Sequence, residues 1–210
     1  MALFLVLVSF VYADEAIVVI DDFENGLSRG WNEQLFRGRG RTEYKVVKDG
    51  GGNVLEARSL SSASGLFFNR SFSLEDFPVI SWRWKIDKVI AKGDARKKEG
   101  DDFAARIYVV FYNPIPFLSR SINYVWANSL PKGESAPNTY FSRSILVAVE
   151  SGNREAGKWV AEERNIMDDY KRFFGEEPAE ASAIALMSDS DDTGGETVAW
   201  FDDIFLHAKR

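Results

Sequence analysis

Arginine and aromatic side chains lie close together in two segments of this sequence that are typical of β-strands. The first segment, 79–87, carries Arg83 between two tryptophans. The second, 103–112, carries Arg106 two residues before Tyr108. An arginine beside a carboxylate can grip the hydroxyl or anionic groups of a ligand with its forked guanidinium group. We therefore predict a site that binds a glycan or another polar ligand, formed by Arg83, Arg106, Tyr108, Asp101, Asp102 and Trp126.

Two orientations of these strands are compatible with the pattern. If the tryptophans of 79–87 are exposed, they form a stacking platform with Trp126, and the arginines are buried beside acids. If the tryptophans fill the core, the arginines form a salt-bridge network on the surface, which is the commoner arrangement. For a ligand site, Arg83 and Arg106 must lie together on one face. At least one of Asp101, Asp102 and Glu162 is expected beside them.

Acidic residues near the two ends of the chain could enclose a cation. Asp22 and Glu24 lie in the first strand segment or just after it, and Asp203 lies in the last one. Ca²⁺ takes about six to eight oxygen ligands. The sequence is compatible with a structural Ca²⁺ held by these three residues. Outward-facing acids that keep edge strands from aggregating explain the same residues without a metal.

A second acidic segment, 189–194, matches the first half of an EF-hand loop. It has oxygen-bearing side chains at alternate positions and Gly194 at the sixth. Trp200 stands where the loop requires its bidentate glutamate. We therefore favour a tight, aspartate-rich hairpin, whose side chains bond to their own backbone, over a cation site.

The side chains that many enzymes use as nucleophiles and bases are scarce. The chain has no cysteine and one histidine, His207. Thiolate chemistry is excluded, and a catalytic triad is disfavoured. Acids are abundant, but no spacing singles out the pair that a glycoside hydrolase needs. We predict no catalytic residues. The enzyme alternative is a polysaccharide hydrolase or lyase that uses acids among Asp101, Asp102 and Asp189.

Short alternating segments, separated by glycine, proline and polar turns, follow one another through the chain and are typical of β-strands. We predict strands at 17–23, 41–47, 53–59, 79–87, 103–112, 122–127, 144–150, 183–188 and 197–207. One helix is predicted, with Asn165 as its N-cap and Gly175 after its end. These elements predict an all-β fold, an antiparallel β-sandwich of the jelly-roll, galactose-binding-like type, with one short helix packed on it.

The chain as a whole has the length and composition of one globular domain. Its 210 residues carry a net charge of −6, which disfavours general binding of nucleic acid. Residues 1–13 form an apolar run that ends in Ala13, which we interpret as a signal peptide; a buried first strand is the alternative. The run is shorter than the ~20 residues needed to span a bilayer. We predict a single β-sandwich domain at 14–210, without a transmembrane segment, in the periplasm or outside the cell.

Five segments in order along the chain form a recognisable combination. They are 82–85, 100–108, 123–126, 164–170, and 189–194 together with 201–204. In this order they resemble a family of bacterial exported proteins, domain of unknown function 3047. The resemblance covers nearly all of the chain after the leader and implies no activity. More loosely, segments 21–24 and 202–204 are similar to galactose-binding-like jelly rolls and carbohydrate-binding modules.

These observations favour a non-catalytic module outside the cytoplasm that binds a glycan or another cell-envelope ligand. A close pair of buried carboxylates in a cleft would favour the hydrolase or lyase instead. A third class is a structural or assembly protein, which would show a broad apolar patch.

Overall fold

The structure is a computed structural model that describes residues 16–178 and 180–209. The predicted signal peptide, 1–13, and the predicted mature N-terminus at Asp14 lie outside the described residues. Within the described part of the chain, no helix is long and apolar enough to cross a membrane.

Strands make up most of the described fold, with a single α-helix between two of them. The strands are β1 (Ile17–Asp21), β2 (Trp31–Leu35), β3 (Glu43–Asp49), β4 (Gly52–Leu60), β5 (Ala63–Phe68), β6 (Phe72–Ser73), β7 (Val79–Ile86), β8 (Arg106–Phe111), β9 (Arg120–Ala127), β10 (Ser135–Pro137), β11 (Ser144–Ser151), β12 (Val160–Asn165), β13 (Glu180–Ala181), β14 (Ala183–Asp189) and β15 (Glu196–His207). The helix α1 spans Ile166–Phe174, and short 3-10 turns lie at Lys98–Gly100 and Pro116–Leu118.

Two large sheets pack face to face. The first has the strand order β12-β7-β15-β4-β3, and β1 pairs with the C-terminal end of β15. The second has the order β10-β11-β9-β8-β14-β5-β2, and β6 and β13 form a separate pair. Among the described strand pairs, β9 and β11 are parallel and the others are antiparallel. The fold is therefore the predicted β-sandwich with one short helix.

Aromatic side chains from β7 and β9 fill the space between the sheets. The ring of Trp82 stacks on that of Tyr124 with centroids 5.5 Å apart, and the rings of Trp84 and Trp126 are 5.8 Å apart. None of the four side chains is more than 2% exposed. Because successive side chains of a strand point to opposite faces, Arg83 points away from this core. The tryptophans are core residues and form no exposed stacking platform.

The helix begins and ends as the sequence predicts. Asn165 Oδ1 accepts a hydrogen bond from the N–H of Asp168 at 3.0 Å. Gly175 has φ of 73°, the left-handed conformation that ends many helices. Tyr170 is buried, and its ring lies 4.5 Å from that of Phe111 on β8. The helix is therefore anchored to the second sheet.

The segment 189–194 is not the predicted hairpin. The strand before it, β14, belongs to the second sheet, and the strand after it, β15, belongs to the first. Its backbone bonds to other loops, since the N–H of Asp189 donates to the Phe103 carbonyl and that of Ser190 to the Ser62 carbonyl. The segment is a crossover that brings its aspartates to the outer face of the second sheet.

Candidate functional site

A groove crosses the outer face of the second sheet, on the side away from the core. Two adjoining cavities of about 310 Å³ and about 350 Å³ form it. The neighbours of the groove residues along β8 and β14 point into the core, so strand alternation places the groove residues outside. We call the first cavity the polar end and the second the apolar end. The side chains that line both are Phe36, Tyr108, Asn138, Tyr140 and Met187.

Arg106 lies at the centre of the polar end. Its side chain is 3% exposed, and Nε donates to Asp189 Oδ1 at 2.7 Å while Nη1 donates to Asp101 Oδ1 at 3.1 Å. Nη2 donates to Asp189 Oδ2 and to the carbonyl oxygen of Asp101. The guanidinium carbon lies 4.4 Å from the ring centroid of Phe103. One buried cation therefore bridges two buried carboxylates that line the groove.

Burial and charge act in opposite directions on this network. Burial raises the pKa of Asp189 to about 8, although the positive charge of Arg106 opposes the rise. Burial lowers the pKa of Arg106, but the charges of Asp189 and Asp101 and contact with Tyr108 raise it well above its usual value. Burial also raises the pKa of Tyr108 to about 12. Arg106 therefore stays charged, and Tyr108 stays a neutral hydroxyl.

The loop after β10 forms one wall of the groove. Asn138 Oδ1 accepts the N–H groups of Tyr140 and Phe141, both at 3.0 Å, which closes an Asx turn. Asn138 Nδ2 donates to Asp101, and the Tyr140 hydroxyl donates to Asp192 Oδ1 at 2.6 Å. Partial burial and the hydrogen bond to Asp192 raise the pKa of Tyr140 to about 12. The wall is thus fixed to the polar end, while Tyr140 remains 48% exposed.

Two further arginines lie at the polar end, on the segment between β2 and β3. Arg39 Nη1 is 2.5 Å from Asp191 Oδ2, and its Nη2 is 3.0 Å from Asp192 Oδ1. Arg37 is exposed and makes no ion pair with the residues that the structure describes. Three arginines and four aspartates line this end, so its charges nearly balance. They are Arg37, Arg39, Arg106, Asp101, Asp189, Asp191 and Asp192.

The apolar end is lined mainly by hydrocarbon. Its apolar side chains are Phe36, Phe67, Val110, Phe141, Ala185 and Met187. Gly65 also lines this cavity. A Cβ atom on Gly65 would lie 2.9 Å from Phe67 Cε2, so glycine leaves room for the ring where it stands.

Asn123 is a buried polar residue on the same face of the sheet. Its neighbours on β9, Ile122 and Tyr124, belong to the core, so Asn123 points outwards, opposite Tyr108. It is fully buried, and neither its amide nitrogen nor its amide oxygen has a partner among the described residues. Leaving such a group unpaired costs about 1–3 kcal/mol. The side chain is closed off from both cavities, whose lining residues do not include it.

Three acids beside the groove could hold a metal ion. The ligand oxygens of Asp102, Asp189 and Asp191 lie within 4.8 Å of one another, and this is the one such group found in the described part of the chain. Asp102 also accepts the N–H of Asp192 at 3.2 Å and that of Thr193 at 2.7 Å. The acids therefore already anchor the crossover segment.

The predicted Ca²⁺ ligands do not form a group of this kind. Asp22 Oδ1 accepts the N–H of Glu24 at 3.2 Å, and the Glu24 carboxylate accepts the N–H of Asn53 at 3.3 Å. Asp203 Oδ2 lies 2.8 Å from Nε of Arg83. Each of the three acids is engaged by a separate protein group.

Half of the predicted ligand-binding residues line the groove, namely Arg106, Tyr108 and Asp101. Asp102 is fully buried and faces the crossover segment. Trp126 is fully buried in the core, so it has no surface to offer a ligand. The predicted polar contacts are thus partly gathered in one place.

The prediction that Arg83 and Arg106 share one site is wrong. Arg83 is on β7 of the first sheet, and Arg106 is on β8 of the second. A bulge in β15 brings two successive aspartates, Asp202 and Asp203, to Arg83. Its guanidinium carbon lies 4.8 Å from the ring centroid of Trp159. Arg83 belongs to a salt-bridge network on the opposite side of the sandwich.

Sequence reasoning missed the groove residues that come from loops. These are Phe36, Arg37, Arg39, Asn138, Tyr140, Phe141 and Asp192. The asparagine two residues before Tyr140 is a recognisable Asx-turn signal, and it could have marked an ordered wall. The segment 36–39 has no alternating pattern from which its position on the outer face of the second sheet could be predicted.

The chain is similar to several known proteins. Over 90% of its length it matches the structure of TmCBM61 in complex with beta-1,4-galactotriose, covering 94% of that chain at 14% identity with a TM-score of 0.43. Over 90% it matches the carbohydrate-binding module CBM28, specific for non-crystalline cellulose, covering 93% of that chain at 15% identity with a TM-score of 0.46. Over 91% it matches the K3 cleaved adhesin domain of Lys-gingipain from Porphyromonas gingivalis w83, covering 99% of that chain at 13% identity with a TM-score of 0.45.

Sequence comparison gives one family. No curated protein matches the chain. A family model described as "Protein of unknown function (DUF3047)" matches residues 29–205.

Proposed function

The chain belongs to the DUF3047 family of proteins of unknown function, and we propose that it is a non-catalytic binding module for a glycan of the cell envelope. The glycan lies in the groove on the outer face of the second sheet. The proposal includes export, because the ligand is outside the cytoplasm.

The observation that carries this proposal is the combination of aromatic rings and hydrogen-bonding groups in one open groove. Sugars present C–H faces that pack on aromatic rings, and hydroxyl groups that bond to charged and amide side chains. Tyr140 and Phe36 supply partly exposed rings. Arg39, Asn138 and Asp192 supply polar atoms beside them. A groove with an apolar lining and a few convergent polar groups is typical of a ligand site.

Catalysis is the weaker interpretation of the same groove. Asp101 and Asp189 both line it, and a raised pKa such as that of Asp189 suits a general acid. However, Arg106 bonds to both carboxylates, whose side chains are only 2% and 4% exposed. A glycosidase needs a carboxyl group that is free to protonate the leaving oxygen. Binding without hydrolysis fits these contacts better.

A glycan array followed by isothermal titration calorimetry tests the proposal. We expect Tyr140→Ala to weaken binding of the glycan found on the array about tenfold, equivalent to about 1.4 kcal/mol, because it removes the ring. Tyr140→Phe keeps the ring and should bind more tightly than Tyr140→Ala. Trp159→Ala changes an aromatic residue on the first sheet and is the matched control.

An array without a binder would contradict the proposal, as would equal affinity of Tyr140→Ala and the wild type. Release of reducing ends from the bound glycan would establish the hydrolase or lyase instead.

Export is part of the proposal and has its own test. The apolar run 1–13 ends in Ala13, and we expect the mature protein to begin near Asp14. N-terminal sequencing of protein from the periplasm or medium checks this. An intact Met1 on protein confined to the cytosol would contradict it.

The proposal also assigns a structural Ca²⁺ to the acidic triad of Asp102, Asp189 and Asp191. Three carboxylates supply part of the oxygen set that Ca²⁺ takes. Bound there, the ion would link the crossover segment 189–194 to the loop before β8, which carries Asp102.

A further inference from the structure

The groove changes character along its length. The polar end carries seven charged side chains, whereas hydrocarbon dominates the apolar end. Tyr108, Tyr140 and Met187 are among the residues that line both cavities. Because the cavities adjoin, one molecule can occupy both.

Polar side chains at the apolar end already bond within the protein. Ser121 Oγ donates to Ser144 Oγ at 2.8 Å, and Ser119 Oγ accepts a backbone N–H at 3.0 Å. Arg120 donates to the Tyr170 hydroxyl at 2.7 Å. A sugar hydroxyl placed among Phe67, Val110 and Met187 would lose water without gaining a new partner, which is unfavourable. A hydrocarbon chain has no such requirement and gains from burial.

The polar end has the opposite preference. Its three arginines and four aspartates nearly balance, and most are paired with one another. A strongly charged group would meet a like charge as closely as an opposite one. Uncharged hydroxyl groups can both accept from Arg39 or Arg37 and donate to Asp191 or Asp192.

We infer that the groove binds an amphiphile, with an uncharged, hydroxyl-bearing head in the polar end and a hydrocarbon chain in the apolar end. The inference rests on the proposed function, because the head is the glycan part of the same ligand. It narrows the ligand class from glycans in general to glycolipids.

Alkyl β-glucosides and alkyl β-galactosides, used below their critical micelle concentrations, test the inference by calorimetry. The methyl, hexyl and octyl members of each series share one head and differ only in the chain. We expect each buried methylene to strengthen binding about fourfold, so that octyl glycosides bind at least about tenfold more tightly than hexyl ones. Equal affinity along both series would overturn the inference.

Two variants test whether the alkyl chain of the ligand lies in the apolar end. Phe67→Ser and Val110→Thr each add a hydroxyl group there, and Val110→Thr keeps the shape of valine should Phe67→Ser fail to fold. We expect both to reduce the gain with chain length, measured in each variant as the ratio of the octyl to the methyl affinity. Phe117→Ser is the control, because Phe117 is 69% exposed before β9 and does not line the groove. Loss of the gain in Phe117→Ser alone would overturn the inference.

The results also separate this inference from the proposed function. If glycan binding depends on Tyr140 but chain length has no effect, the inference fails and the proposed function stands. If no glycan binds on the array and alkyl chains bind equally well with or without a sugar head, both fail.

Discussion

At the scale of single residues, Arg106 determines whether the polar end of the groove keeps its shape. Its guanidinium group bonds to Asp101 and Asp189, and all three side chains are less than 5% exposed. Asp101 in turn accepts from Asn138 and Thr139. The loop that carries Tyr140 is held in place by hydrogen bonds to Asp101. A change at Arg106, which orients Asp101, is therefore expected to displace the groove wall.

We expect Arg106→Ala to lower the free energy of unfolding by about 3–5 kcal/mol, because it leaves two buried carboxylates without their cation. Arg106→Lys should be intermediate, since an ammonium group cannot reproduce the forked contacts. Urea unfolding measures both. Arg58→Ala is the control, because the Arg58 side chain is 56% exposed and pairs with Glu56 at the surface. Similar losses in Arg106→Ala and Arg58→Ala would show that the buried network is dispensable.

Glu162 is a second residue whose position has a measurable consequence. It lies opposite Trp82 at the edge of the first sheet, on the inner side of that sheet and away from Arg106. Its Oε1 is buried without a partner among the described residues. Burial raises the pKa of Glu162 to about 7, Lys132 opposes the rise and the charge of Glu150 adds to it. The folded protein therefore holds this proton more tightly than the unfolded chain does.

A carboxyl group whose pKa is raised by folding contributes stability at pH below its unfolded value of 4.5, and this contribution is lost as pH rises through about 7. Glu162→Gln cannot ionise. We therefore expect the variant to gain stability relative to the wild type as pH rises from about 5 to about 8. Urea unfolding across this range measures the gain, with Glu163→Gln, an exposed neighbour, as control. Parallel curves for wild type and Glu162→Gln would contradict the raised pKa.

At the scale of elements, the crossover 189–194 connects the two sheets and supplies part of the groove. Asp189 bonds to β8 through Arg106, and Asp191 bonds to Arg39 on the segment between β2 and β3. Asp102 accepts backbone N–H groups of the crossover. One acidic segment thus joins three separate parts of the chain, and a cation at the triad would reinforce this arrangement.

If Ca²⁺ binds at the triad, a concentration about 100 times Kd should stabilise the fold by about 2.7 kcal/mol. Asp191→Asn removes one ligand charge and should reduce the shift in Tm. Asp203→Asn, on the other sheet, should leave it intact. Thermal melts with Ca²⁺ and with EDTA measure the effect. A Tm that is the same in both would count against Ca²⁺, and a shift lost only in Asp203→Asn would move the site to the first sheet.

Strand alternation explains which elements could be predicted from the sequence. In β7, half-buried and fully buried residues alternate along the whole strand, so the period of two is plain. In β5, the first four residues are all buried, because one face meets the core and the other lies beneath the groove. In β12, the sequence is dominated by charged residues. Neither strand shows the alternating pattern, and neither was predicted.

The candidate site could be predicted only in part, for a related reason. Alternation gives the face of a strand on which Arg83 or Arg106 lies, but it does not give the sheet that the strand joins. Consecutive strands are often neighbours, which favoured a shared site. Here the long connection between β7 and β8 passes from the first sheet to the second. Loop residues such as Tyr140 depend on tertiary packing and carry little local signal.

At the scale of the whole molecule, the two outer faces of the sandwich differ. On the first sheet, Lys85 lies 4.5 Å from the ring centroid of Trp200 and 5.1 Å from that of Trp159, and its Nζ pairs with Asp49. The cation of Lys85 lies over both rings there, and both tryptophans are half-buried. On the second sheet, the side chain of Tyr140 is partly exposed in the groove. We therefore place the proposed ligand on the second face.

The charge of the whole protein leads to a last prediction about this face. The chain has a net charge of −6, but the polar end carries three arginines against four aspartates. Charges outside the groove are screened beyond about 8 Å at physiological ionic strength. An uncharged glycan in a nearly balanced groove should therefore bind almost independently of salt. We expect its Kd to change less than about twofold between about 0.05 M and about 0.5 M NaCl, measured by calorimetry.

An anionic polymer responds differently, because its binding depends on the release of counterions and falls steeply with salt. Heparin and duplex DNA are the control ligands, and the net negative charge of the protein predicts that neither binds at either salt concentration. A Kd for the glycan that rises steeply with salt would mean that the exposed Arg37 and the partly exposed Arg39 recognise a charged group. The uncharged head proposed for the ligand would then be wrong, while the groove would remain the binding site if Tyr140→Ala still weakened the interaction.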